Sequence, residues 1–318
     1  MTTISKSKCG KCGNAFNDDK LYFQKHSGVK FCEECFIKDT KRKIRKNLGK
    51  DILKNHITIA VGISGGKDSL VMAYVLNEFF KQIPNSKIIG IMVNEGIEGF
   101  RNDGIEKGIK FCEKFGIEYH IATFSEYIGA NLDEIVNIAK EKNMTMNPCS
   151  FCGVIRRKIL NRVAIEKKCD YLAIGHNLDD ISQAVMMNYI EGDIKKLAIL
   201  GKSSNSDKFV KRIKPLSKIP ENEVKLFADI LKMDYHKAPC PYSCLSYRSE
   251  VSDIIDMLEE KHAGTMYSIV AGYERLLEHL EVPGDITLCE KCGEPSALKI
   301  CKVCSFLKDL GLEKNSKF

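Results

Sequence analysis

Four apolar, β-prone runs mark the chain between residues 56 and 175: HITIAVG at 56–62, KIIGIMVN at 87–94, IEYHIA at 117–122 and YLAIG at 171–175. Each precedes or follows a stretch whose apolar residues recur at helical spacing. One such stretch carries Leu70, Val71, Ala73, Tyr74, Leu76 and Phe80, and another carries Ile155, Ile159, Leu160 and Val163. Short apolar strands alternating with amphipathic helices predict βαβ units, hence an α/β fold with a parallel sheet and helices on both faces. A further helical pattern fills 253–282 until Pro283-Gly284 breaks it. Four regions result: a cysteine-bearing module with a basic connector at 1–50, an α/β catalytic domain at 51–252, a helical segment at 253–284 and a second cysteine module at 285–318.

Between the first strand and its helix lies VGISGGKDS, Val61–Ser69. Strand, glycine turn and helix N-terminus together make an anion site. Gly65 and Gly66 let the backbone approach phosphate, and the first helical N–H groups point outward with the positive end of the dipole. Lys67 adds a charge, and Ser64 and Ser69 add hydroxyls. A Walker A loop has four residues between its first glycine and the Gly-Lys pair, then Ser or Thr. Here only three separate Gly62 from Gly66-Lys67, and Asp68 follows, so this is a different phosphate loop.

The chain holds 14 cysteines among 318 residues. No apolar run reaches the length of a membrane span, and MTTISKSKCGKCG lacks the apolar centre of a signal peptide. A cytoplasmic protein without membrane association is the expectation, and there so many cysteines argue for metal over disulfides. Cys9-x2-Cys12 with Cys32-x2-Cys35, and Cys289-x2-Cys292 with Cys301-x2-Cys304, have the spacing of two closed four-thiolate zinc sites, structural in role. His26 is better read as a surface histidine than as a ligand. Cys112 and Cys169 read as ordinary buried thiols. Cys149-x2-Cys152, Cys240 and Cys244 allow three chemistries: a third zinc site, a persulfide-carrying dithiol at a helix N-terminus, or a [4Fe–4S] cluster on three cysteines. Spacing alone does not choose among them.

Net charge is +7, and it is uneven. Lys38, Lys41, Arg42, Lys43, Arg45, Lys46, Lys50 and Lys54 crowd into one run. Such a run is either a solvated helix face or a contact for a phosphate backbone. Lys8, Lys11, Lys291, Lys299 and Lys302 give the cysteine modules a basic character of the same kind.

SGGKDS resembles the pyrophosphate loop of the ATP pyrophosphatase (PP-loop) superfamily, which cleaves ATP between the α- and β-phosphates to adenylate an oxygen. Taken in order, the N-terminal CxxC pairs, SGGKDS, PCSFCG at 148–153, GHNLDD at 175–180, PCPYS at 239–243 and the C-terminal CxxC pairs resemble the tRNA 2-thiouridine synthetases of the TtuA/NcsA group. The resemblance runs from Cys9 to Cys304. It implies a [4Fe–4S] cluster on Cys149, Cys152 and Cys240, with Cys244 outside the ligand set. It implies ATP held by Gly62, Ser64, Gly65, Gly66, Lys67, Asp68, Ser69, Val93, Arg156 and Gly175. Arg156 stands where the family often has lysine. Asp68 and Asp180 become candidates for Mg²⁺ or for positioning the target base; as helix caps they and Asp179 would be structural. The reaction implied is adenylation of uridine C2 oxygen followed by sulfur transfer, at tRNA position 34 or alternatively 54. The implied partners are tRNA, a sulfur donor that is either a ubiquitin-like thiocarboxylate protein or free sulfide, and a second copy of the chain. A rival reading is a PP-loop amide or nucleotide synthetase whose cysteines hold only zinc.

Overall fold

The computed structural model describes residues 6–144, 147–201, 210–242, 247–280, 287–296 and 298–318. Two hairpins open it, β1 (Lys6–Lys8) with β2 (Ala15–Asn17) and β3 (Leu21–Gln24) with β4 (Val29–Cys32), and lead into α1 (Glu33–Leu48). The alternating body follows: β5 (Thr58–Gly62), α2 (Lys67–Phe80), β6 (Lys87–Asn94), α3 (Arg101–Phe115), β7 (Glu118–Thr123), α4 (Phe124–Ile128), α5 (Leu132–Glu141), α6 (Pro148–Glu166), β8 (Tyr171–Ala173), α7 (Leu178–Ile190), α8 (Ile194–Gly201), β9 (Lys211–Ile213) and α9 (Glu221–Ile230). Two helices, α10 (Tyr247–Lys261) and α11 (Thr265–Leu277), precede a last hairpin, β10 (Thr287–Leu288) with β11 (Pro295–Ser296), and α12 (Lys302–Leu310).

All pairings in the five-stranded sheet are parallel, in the order β7-β6-β5-β8-β9. The period-2 alternation of the strands sends side chains to two cores. Ala60, Ile89, Ile91 and Val93 join Phe151, Ile155 and Ile159 of α6 on one face. Ile59, Val61, Ile88 and Met92 join Leu70, Val71 and Phe80 of α2 on the other. The N-terminal cysteine module packs with the second core through Phe31 and Phe36, and the C-terminal one with the first through Val303, Leu307 and Leu310. The two modules therefore lie on opposite faces of the sheet. Helices α7, α8, α10 and α11 share a third, smaller core around Leu178, Leu197 and Val270.

Each of the four runs read from sequence is a strand. The edge strand β9 was not predicted, because KRI offers three residues and no apolar run. The helical stretch at 253–282 is two helices, with a break at Gly264, whose φ is +100°. Cys112 and Cys169 are buried, and burial pushes their thiols up to about 12 and about 11. Among the described residues no helix is long and apolar enough to cross a membrane.

The basic run forms α1 and the turn after it, and most of its charge is spent inside the fold. Lys38 pairs with Glu34, Arg42 with Asp39, Lys54 with Asp51, Lys41 with Glu78 of α2, and Lys43 with Asp39 and with Glu223 of α9. Arg45 lies over the Phe79 ring.

Candidate active site at the switch point of the sheet

Strand order reverses between β5 and β8, and in open parallel sheets the crevice outside the carboxyl ends at such a point receives the ligand. VGISGGKDS lies there. Ser69 Oγ donates to the Gly66 carbonyl at 2.9 Å and accepts from the Ser64 N–H and hydroxyl, each at 3.1 Å, which closes the loop on itself. Gly65 sits at φ +83°, and a Cβ on it would come 2.0 Å from the Gly104 carbonyl oxygen, so only glycine fits between the loop and α3. The N-cap of α2, Gly66, supplies no side-chain cap, so the first helical N–H groups stay available to an anion. From β8, Gly175 closes against the same helix: a Cβ there would meet the Ser69 nitrogen at 3.2 Å.

Carboxylates surround the head of α2. Lys67 Nζ is 3.0 Å from Asp68 and 2.6 Å from Glu221. Burial opposes its charge, but the two acids outweigh burial and hold its pKa above the ordinary lysine range. Asn177 donates to Asp68 Oδ1 at 3.0 Å. Asp180 closes a capping box with Asn177 at the start of α7 and also pairs with Arg248 at 3.3 Å. It thus serves as the cap considered from sequence while still facing the crevice. Burial pushes its neighbour Asp179 up to about 6.

The sequence did not announce Glu95 or Arg101. Glu95, 2% exposed, follows the end of β6. Its Oε2 lies 2.6 Å from Arg101 Nε, and its Oε1 lies 3.3 Å from a terminal nitrogen of Arg156. Arg101 also donates to the Ser64 carbonyl at 2.8 Å and to the Val93 carbonyl at 2.7 and 2.9 Å. One buried carboxylate thereby ties the phosphate loop, and the strand end at Val93, to α6. An Asn-Glu-Gly turn after a strand was the only available signal, and its partners come from two other segments.

Helix α6 begins at Pro148 with Asn147 as its cap, accepting from the Cys149 N–H at 2.9 Å. Cys149 is exposed in this first turn, Cys152 follows three positions later, just under one turn on, and Cys240 faces them from the segment after α9. Burial pushes the Cys152 thiol up to about 12, with Arg156 pulling the other way. Cys149 Sγ lies 3.4 Å from the Tyr242 carbonyl oxygen, and Tyr242 donates to Asp133 at 2.6 Å, which fixes the Cys240 segment against α5. Three soft donors gathered beside a cation fit an iron–sulfur cluster better than a hard ion. Cys244 lies outside the described residues.

Cys9, Cys12, Cys32 and Cys35 form one set and Cys289, Cys292, Cys301 and Cys304 another, with all sulfurs of a set within 4.8 Å of one another, the geometry a single tetrahedral ion needs. The sets share a backbone device: Cys9 Sγ accepts the Cys32 N–H at 3.4 Å, and Cys289 Sγ accepts that of Cys301 at 3.2 Å. In the second set Lys158 of α6 donates to Cys292 Sγ at 3.1 Å. The helix that carries Cys149 and Cys152 is thereby anchored to the C-terminal module. His26 belongs to neither set and packs against Tyr267.

Phosphate loop, switch-point crevice and parallel sheet together define a PP-loop nucleotide-binding protein, and residues 37–243 match the PP-loop domain family. The chain is 52% identical to a probable sulfurtransferase of Methanocaldococcus jannaschii, over 93% of this chain and 86% of that one. It is 33% identical to the tRNA 2-thiolation protein NcsA of Haloferax volcanii, over 95% and 99% respectively. Its fold matches the U34-tRNA thiolase NcsA from Methanococcus maripaludis, solved with its [4Fe–4S] cluster, over the whole of both chains with a TM-score of 0.87 and 65% identity. The chain belongs to the tRNA 2-thiolation enzymes of the PP-loop family.

Proposed function

We propose that the protein converts uridine 34 of tRNA to 2-thiouridine, using ATP and a [4Fe–4S] cluster held by Cys149, Cys152 and Cys240. The observation that carries this reading is the Glu95 bridge, which joins Arg101, bonded to the phosphate loop at the Ser64 carbonyl, to Arg156 beside Cys152 within one crevice. Position 34 is favoured over 54 by the likeness to a U34 thiolase and by the accessibility of an anticodon-loop base.

The uridine C2 oxygen attacks the α-phosphorus, pyrophosphate leaves, and C2 now carries AMP as a leaving group. Sulfur then attacks C2 and AMP departs. The loop N–H groups from Gly65 to Ser69 and the Lys67 charge face the polyphosphate, and Gly62, Val93 and Gly175 line the nucleotide. Asp68 and Asp180 hold Mg²⁺ or orient the uridine. Arg156 sits between nucleotide and thiols and balances charge on both. When bound, the cluster supplies an iron with no protein ligand, where sulfur is presented as a nucleophile. Hydrosulfide or a thiocarboxylate protein is the donor, and the enzyme works as a homodimer.

The test is product analysis with anaerobically reconstituted protein, sulfide and ATP. AMP and pyrophosphate should appear in equal amounts with 2-thiouridine on tRNA bearing U34, and neither with a C34 transcript. Release of ADP, or equal AMP release with the C34 transcript, would overturn the adenylation step.

The two four-cysteine sets are assigned structural zinc. Cys289→Ser should lower Tm and soluble yield before it touches chemistry, since a closed thiolate site contributes a share of the ~10–16 kcal/mol that structural zinc binding supplies to folding. Calorimetry with zinc quantitation checks it. A variant of normal Tm that had lost only catalysis would contradict the assignment.

A further inference from the structure

Beside the crevice, past His176, lies a basin of about 740 Å³ bounded by β9, α6, α7, α8, α11 and the C-terminal end of α1. Its charges come from three elements. Arg212 of β9 and Lys214 just beyond it are two residues apart and so share a face. Register settles which: Arg212 pairs with Leu172, whose side chain belongs to the core shared with α6, whereas Ile213 packs in the opposite core. Arg157 comes from α6 on that same face, its guanidinium folded back over Gly153 beside Cys152. Ile174, Tyr273 and Leu277 give the basin apolar walls.

Among the described residues Arg157, Arg212 and Lys214 have no carboxylate partner within ion-pair distance, and Lys214 donates only to the Leu200 carbonyl, at 3.1 Å. The acid in the basin, Glu274, is already paired with Lys218. Desolvation, and then the neighbouring cation (Arg157 beside Arg212, Arg212 beside Lys214), holds Arg212 and Lys214 below their ordinary pKa ranges. The same surroundings push His176 down to about 4, so at neutral pH it is an uncharged aromatic ring. Like charges gathered beside an acid already engaged by Lys218, around an apolar hollow and a neutral ring, suit an anion that also carries bases. A free phosphate needs a tight cradle of donors, whereas here long side chains from separate elements are spread along a nucleotide-sized hollow.

We infer that this basin is an RNA subsite, in which Arg157, Arg212 and Lys214 bind phosphodiester groups flanking the target uridine and His176 stacks on a neighbouring base. The inference rests on the tRNA reading above and places the contact here instead of on α1, where Lys38, Lys41, Arg42 and Lys43 are already held in ion pairs.

The test compares the cluster-loaded full-length protein with Arg212→Gln/Lys214→Gln, following tRNA binding across a salt series. Two lost contacts to a single strand should flatten the slope of log K against log salt by about 1.4 and weaken binding roughly 10-fold at low salt. Arg212→Lys should keep the slope. ATP affinity, inorganic phosphate binding and the iron–sulfur absorption should not change in either variant. Lys41→Gln/Lys43→Gln on α1 should leave the tRNA slope as in wild type. An unchanged slope in the Arg212/Lys214 variant, an equal loss in the α1 variant, or a loss confined to inorganic phosphate would each overturn the subsite. Wild type that binds tRNA with the expected salt dependence but forms no 2-thiouridine would refute the function and leave the subsite standing.

Discussion

Lys67→Ala, and separately Asp68→Ala, should cut 2-thiouridine formation by roughly 10²–10³-fold, the usual cost of removing one preorganised charge contact from a transition state. Iron content and Tm should stay at wild-type values. Lys67 holds its charge at the head of α2 through Asp68 and Glu221, and Asp68 is itself oriented by Asn177. Neither side chain supports a core, so the loss falls on phosphate and metal handling. The check is AMP release and 2-thiouridine per turnover with tRNA and ATP in excess. Near-normal rates in both variants would remove the phosphate loop from the chemistry.

Loss should be complete for the thiols. Cys149→Ala, Cys152→Ala and Cys240→Ala should each abolish both iron binding and activity, because the proposed cluster has three ligands and none to spare. Cys244→Ala should retain both, since a fourth thiolate would occupy the coordination position that sulfur needs. The closed four-thiolate sets near the termini show the contrast: with every position filled, a metal has no room for substrate. Iron and acid-labile sulfide per chain, measured on the four variants reconstituted without oxygen, separate the cases. Iron loss in Cys244→Ala would make that residue a ligand and exclude an open iron.

What the sequence showed, and what it hid, follows from where each signal is stored. Strands buried on both faces by helices appear as unbroken apolar runs, so β5, β6, β7 and β8 were legible, and a glycine loop between strand and helix marked the phosphate site locally. Zinc-type spacing is local too, and both four-cysteine sets assemble as read. Strand β9 carries two cations in three residues, and its place depends only on pairing with β8. Glu95 matters because Arg101 and Arg156 converge on it from different segments, a fact that no single stretch records. The basic run of α1 misdirects for the same reason. Its neutralising acids include Glu78 and Glu223, the latter 180 residues from Lys43, while Arg157, Arg212 and Lys214, which pair with no carboxylate among the described residues, are scattered and form no run. Asp180 illustrates a mixed case, since a capping role and a crevice role were both readable from GHNLDD and the structure gives it the cap together with Arg248.

On the proposed function, one crevice couples ATP to cluster-dependent thiolation of uridine 34. The most direct measurement maps sulfur in tRNA by mass spectrometry of nuclease fragments, after incubation with ATP, sulfide and either iron-loaded or iron-free protein. One 2-thiouridine should form, at position 34, and with the iron-loaded protein alone. Sulfur at position 54, or equal thiolation by iron-free protein that retains its zinc, would contradict it.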